Sequence, residues 1–235
     1  MSRENVTLAD IRRSATSPRA KLVVDQLLWS IEPPPYHQWA DAVEKAIALV
    51  GAKMSQKRNH LNGSSEDALT TSLLLILDGL GFEAEMAVVN GNCDVVVKLN
   101  NYLWLGEAKI ATSASWIWKG YLQLTTRYAT GQIDQDRGGM ILYCSTEPVP
   151  EAMSAWRAAL CHELNLADTD LVNWPHSDKS FISKSIVAAT GNEISVLHQA
   201  IPLYHNPQDA LIKLSPGASQ AARLAKSAVK NQSSD

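Results

Sequence analysis

Leu103-Trp104-Leu105-Gly106-Glu107-Ala108-Lys109-Ile110 is an apolar run that abruptly presents a carboxylate and an amine two residues apart. In a strand, side chains at i and i+2 point the same way, so Glu107 and Lys109 share one face. An acid and a lysine at this spacing are expected about once by chance in such a chain. On an edge strand they make an ordinary solvated pair. The meaning of the stretch therefore depends on what the chain places around it.

Upstream, Ser64-Ser65-Glu66-Asp67 opens a helix, because Ser caps a helix N-terminus well and acids suit its first turn. Leu69, Leu73, Ile76, Leu77 and Leu80 carry it to a stop at Gly79 or Gly81. Glu66 falls on the buried stripe of that helix rather than opposite it. Phe82–Val89 reads as a strand, Asn90-Gly91-Asn92 as a tight turn, and Asp94–Leu99 as a second strand. Asn100-Asn101 turns the chain into a third, Tyr102–Ile110. Downstream, 111–118 is expected to be irregular and aromatic, with Trp116 and Trp118 read as packing residues before base-stacking ones. A helix is expected over Lys119–Ala129, with Lys119, Gln123 and Arg127 on one polar face. Met140–Cys144 is a short buried strand and Pro148–Glu163 a further helix.

Outside this core, residues 6–31 show helical spacing up to Glu32-Pro33-Pro34-Pro35, which stops it, and 36–55 resume it. Phe181–Ala189 and Ile194–Ala200 read as a hairpin that extends or flanks the sheet. The expected organisation is a helical layer over 1–60, a core over 61–165, a hairpin region over 166–214 completing the same domain, and a flexible Ser/Ala/Lys-rich tail over 215–235.

Composition narrows the classes. The 235 residues are 46% apolar and carry a net charge of −3, which argues against disorder and against a strongly basic nucleic-acid coat. Three cysteines with no Cys-x-x-Cys spacing suggest neither a disulfide framework nor a zinc site. The N-terminus has no apolar signal region and no segment approaches ~18 apolar residues, so a cytoplasmic protein without membrane spans is expected. Gly-x-Ser-x-Gly and phosphate-binding Gly-rich loops are absent, which disfavours serine hydrolases and NTPases. His60, His198 and His205 are read as surface or structural histidines.

The order helix, three strands, helix, strand, with Glu66 on the helix, Asp94 on the second strand and Glu107 and Lys109 on the third, resembles the PD-(D/E)xK nuclease superfamily. The resemblance covers roughly residues 64–145 and reads Asp94, twelve residues, then Glu107-Ala108-Lys109. Cys93 stands where the motif's Pro would be, and Arg127 where the RecB-like branch has a Tyr four residues after its Gln, so that branch is not assigned. The resemblance implies an α/β restriction-endonuclease-like αβββαβ core with an N-terminal helical extension and a C-terminal β-hairpin. It implies a Mg²⁺-dependent endonuclease (Mn²⁺ substituting), with Asp94, Glu107 and the Ala108 carbonyl as metal ligands. Lys109 would stand beside the attacking water, and Glu66 would serve a second metal or its water. Gln123, with Lys119 and Arg127, would contact the nucleic-acid backbone. DNA is favoured over RNA. Activation by a protein partner or homo-oligomerisation, in a bacterial antiviral defence or restriction setting, is implied by the same resemblance. The alternative is a catalytically inactive nuclease-like module that binds DNA or a partner.

Overall fold

The computed structural model describes residues 7–209 and 217–221. The chain divides after Tyr204 into two units, Met1–Tyr204 and His205–Asp235. Of the second, 217–221 are helical; the rest of the flexible-tail expectation for 215–235 lies outside the described residues.

The first unit is α/β. Seven strands form one mixed sheet: β1 (Glu83–Val88), β2 (Asn92–Leu99), β3 (Tyr102–Ile110), β4 (Arg137–Cys144), β5 (Val172–Asn173), β6 (Ser180–Ile186) and β7 (Glu193–Pro202). Their spatial order is β1-β2-β3-β4-β7-β6-β5. The β1–β2 and β2–β3 pairs are antiparallel, whereas β4 runs parallel to both β3 and β7. The β6/β7 hairpin extends the sheet by setting β7 directly against β4.

Helices cover both faces. On one, α3 (Tyr36–Ser55) and α5 (Glu66–Asp78) bury Trp39, Val43, Ile47, Leu69, Leu73 and Leu77 against Val95, Val97, Trp104 and Tyr143. Full burial of each such leucine contributes about 1.5–3 kcal/mol. On the other, α6 (Ala114–Leu122) and α7 (Val149–Leu164) bury Ile117, Tyr121, Trp156 and Leu160 against Val96, Leu105, Met140 and Leu142. Among the described residues no helix is long and apolar enough to cross a membrane.

Three local readings are corrected. The single helix expected over 6–31 is two, α1 (Leu8–Ser14) and α2 (Pro18–Trp29). Ser17 caps α2 by accepting from Ala20 N, and Pro18 occupies the first turn, where its missing N–H costs nothing. Lys57–Gly63 reads from sequence as a polar loop, but Arg58–Leu61 within it forms a short helix, α4. The irregular segment expected over 111–118 is helical from Ala114, because Ser113 Oγ accepts from Trp116 N. That helix continues as a π-helical turn over Gln123–Tyr128. Such turns shift every later side chain relative to an α-helical wheel, so a four-residue repeat drawn across Gln123 does not mark one face.

A polar brace ties α3 to the sheet. Arg137, at the start of β4, donates through Nε to Glu44 Oε1 (3.1 Å), through a second nitrogen to Glu44 Oε2, and through a third to Asp41 Oδ1 (3.0 Å). Tyr36 Oη accepts from Arg137 N and donates to Leu103 O.

Candidate active site

The site forms where β2 leaves β3. Between the pairs Glu85–Val96 and Ala87–Cys93, β2 sets two residues, Asp94 and Val95, against the single Met86 of β1. This bulge bends the strand and re-aims a side chain. Pairing of β2 with β3 ends at Val95–Gly106, so the next outward N–H groups of β3 lose their strand partner. Carboxylates replace it. Asp94 Oδ2 accepts from Ala108 N (3.0 Å), and Glu66 Oε2, from the first turn of α5, accepts from Ile110 N (2.8 Å). A buried N–H left unmade would cost about 1–3 kcal/mol, so these two acids are held in place by backbone geometry.

All four acid–base candidates converge here. The Lys109 ammonium stands 2.6 Å from Glu107 Oε1, 3.1 Å from Glu66 Oε1 and 3.6 Å from Asp94 Oδ2. It also donates to the Ala108 carbonyl at 2.9 Å. Glu107 and Lys109 are buried, whereas Glu66 and Asp94 open the cluster to solvent. Glu107 Oε2 is buried without a hydrogen-bond partner.

Electrostatics follow from three acids around one amine. Burial pushes the Glu107 carboxyl up to about 7; the Lys109 hydrogen bond opposes this, and the charges of Asp94 and Glu66 add to it. Burial alone would pull Lys109 down, but its hydrogen bond to Glu107 and the surrounding negative charges outweigh that and raise it above the ordinary lysine value. The amine is therefore an ammonium at neutral pH.

Helix α6 fixes Lys109 from above. A Cβ on Gly120 would stand 3.0 Å from Lys109 Cγ and 3.1 Å from its Cε, so glycine here lets the helix lie close on the lysine stem, and a larger residue would push that stem by a few tenths of an ångström. Trp116 lies beside the charge, with Lys109 Nζ 5.7 Å and Lys119 Nζ 5.0 Å from its ring centroid, within cation–π range. Gly120 was not among the expected site residues, although a glycine in the interior of a helical pattern is the signal that marks such close approach.

The expected polar face is not brought together as one surface. Lys119 shares the Trp116 ring with Lys109, Gln123 Nε2 reaches Tyr128 Oη at 3.5 Å, and the Arg127 stem lies against Gly91. Tyr128 borders the site: burial raises its phenol, and the charges of Glu107 and Asp94 add to that. His60 is exposed on α4. His198 is fully buried, accepting from Trp156 Nε1 at Nδ1 (3.0 Å) and meeting Ser183 Oγ at Nε2 (2.8 Å), a satisfied core histidine.

Among the described residues, no group of three or more His, Cys, Asp or Glu side chains stands together in a way that holds a metal ion. Two carboxylates and a carbonyl on adjoining strands are nonetheless a hard-oxygen donor set of the kind Mg²⁺ accepts while keeping several waters. The partnerless Glu107 Oε2 is a buried acceptor at that place.

Comparison with protein-family models, with curated proteins and with solved structures returned no match.

Proposed function

We propose that this chain is a divalent-metal-dependent nuclease that hydrolyses phosphodiester bonds of DNA, with a restriction-endonuclease-like core. The observation that carries the reading is the convergence of Asp94, Glu107 and Glu66 on the Lys109 ammonium where β2 parts from β3. The run from α5 through three antiparallel strands and a crossover helix to the parallel strand β4 supports the core assignment.

In this reading Asp94, Glu107 and the Ala108 carbonyl hold Mg²⁺ or Mn²⁺, and Glu66 serves a second ion or its water. The ion supplies a polarised phosphate and a water of lowered pKa. The chain's own residues do the remainder. Lys109, as an ammonium, offsets negative charge growing on the phosphoryl oxygens and orients the attacking water. Its contacts to Glu107 Oε1 and the Ala108 carbonyl use the same two groups that would ligate a cation. The amine and the cation therefore compete for them. Gly120 and Trp116 limit how far the lysine can move. Lys119, Gln123 and Arg127, which do not form one face, would each contact phosphates from separate positions. The mild net negative charge favours activation by a protein partner or by a second copy over unaided association with DNA.

One observation favours a second reading, a nuclease-like module that binds DNA or a partner without cutting. Asp94 and Glu66 already serve as acceptors for backbone N–H groups, a purely structural task. Cleavage of plasmid and oligonucleotide DNA with Mg²⁺ or Mn²⁺, by the wild type and by Glu107→Ala and Lys109→Ala, separates the two. Cutting by the wild type that both variants lose supports the enzyme. No cutting with either ion, with or without a co-purifying partner, overturns it. Undiminished cutting by both variants overturns the site.

A further inference from the structure

The two tryptophans that follow β3 have separate fates. Trp118 is half-buried and stacks on Tyr121, with centroids 5.4 Å apart and planes at 17°, as a packing residue does. Trp116, two residues earlier, keeps 39% of its surface exposed although the cores on both sheet faces take up most other aromatics. Its backbone is pinned at the start of α6 by the Ser113 hydroxyl. The Lys109 ammonium and that of the exposed Lys119 both lie within cation–π range of its ring. An indole is the side chain that burial rewards most, and this one stays partly open beside the acid–lysine cluster.

Resting on the nuclease reading of the same site, we propose that Trp116 is a stacking platform for an unpaired nucleobase, and that the strand held at this site is single-stranded. An aromatic face beside a cation is the arrangement that grips a single strand irrespective of sequence, because every base has a π-face and every nucleotide a phosphate. In a duplex that face is occupied by the neighbouring bases, so the platform has nothing to hold. A base on the Trp116 ring takes over the contact made by Lys119 and frees that amine for an adjacent phosphate. The ring's proximity to Lys109 sets the same nucleotide beside Glu107, to which Lys109 is bonded. The Thr112, Ser113 and Ser115 side chains, exposed at the head of α6, offer hydroxyl donors on the same rim.

The test is a binding measurement without chemistry: fluorescence anisotropy of a labelled oligo(dT), an abasic strand of equal length and a blunt duplex, all in EDTA. The wild type is expected to bind oligo(dT) roughly ten-fold or more tightly than the abasic strand, the scale of one stacked base. Trp116→Ala should lose that preference, and Trp116→Phe should retain most of it. Equal binding of oligo(dT) and abasic strand by the wild type, or an undiminished preference in Trp116→Ala, overturns the platform. So does binding confined to the duplex. The nuclease reading is tested separately: duplex cutting with Mg²⁺ by a protein showing no base preference would sink the platform alone. A platform that behaves as described in a chain that no divalent ion makes cut would sink the enzyme alone.

Discussion

Among the described residues, Lys109 and Arg137 are both cations set among carboxylates, and they are built to different ends. Arg137 engages Glu44 and Asp41 through three separate nitrogens, with Trp104 Nε1 adding a further donor to Glu44. Its planar fork matches the carboxylate and leaves neither Glu44 oxygen unbonded. Lys109, a single point charge, faces three carboxylates and a carbonyl, and one oxygen of Glu107 has no partner. The first cluster lies under α3 at the start of β4, with Glu44 buried and Asp41 at its exposed end. The second lies where β2 peels away from β3 and opens to solvent through Asp94 and Glu66. A satisfied buried pair braces a fold, whereas acids outnumbering the one amine they surround mark a candidate functional site.

The comparison can be broken in four ways, taken from the largest effect downward. Lys109→Met should lower DNA cutting by about 10²–10⁴-fold. Arg137→Met, assayed below its melting temperature, should cut within a few-fold of the wild type per folded molecule; comparable losses in both variants would erase the distinction. Arg137→Met should instead destabilise by about 3–5 kcal/mol in urea unfolding, the cost of leaving Glu44 buried and unpaired.

The third is a pH dependence carried by Glu107. Its folded value, about 7, lies above the reference value of 4.5, so the native state binds the proton more tightly than the unfolded chain. Stability from this group is full below pH 4.5 and is withdrawn as pH rises to about 7. Glu107→Gln, which does not ionise, should therefore gain on the wild type by roughly 1–3 kcal/mol between pH 5 and pH 8. A pH-independent difference between the two would remove the charge excess from the account. The smallest effect on stability belongs to Gly120→Ala. The helix gains up to about 1 kcal/mol in propensity and loses some of it to the crowded lysine stem, so thermal melting should move little. Cutting should nevertheless fall, because Lys109 shifts; unchanged cutting would free Lys109 from the grip of α6.

Much of this arrangement was legible locally. The α5 stripe of Leu69, Leu73 and Leu77, the turns at Asn90-Gly91 and Asn100, and the apolar β4 each announce themselves within a few residues, and both turns adopt the left-handed backbone their residues allow. Glu66, Asp94, Glu107 and Lys109 were each ambiguous alone, and their meeting depends on strand pairing. Other features were not local. The bulge at Asp94 requires the register of β1, and the seating of β7 beside β4 is a pairing between distant segments that no local pattern encodes. The π-helical turn displaced the face drawn through Lys119, Gln123 and Arg127. Trp116 and Trp118 look alike in sequence, and only packing tells them apart.

The central claim is that the Lys109 cluster is a cation-binding site in waiting, and its most direct test is calorimetric titration of Mn²⁺ into the wild type and Glu107→Gln. The account predicts one binding event in the wild type, weakened at least about ten-fold by Glu107→Gln, in line with losing a charged ligand. Absence of binding to the wild type, or equal affinity in the two proteins, would contradict it.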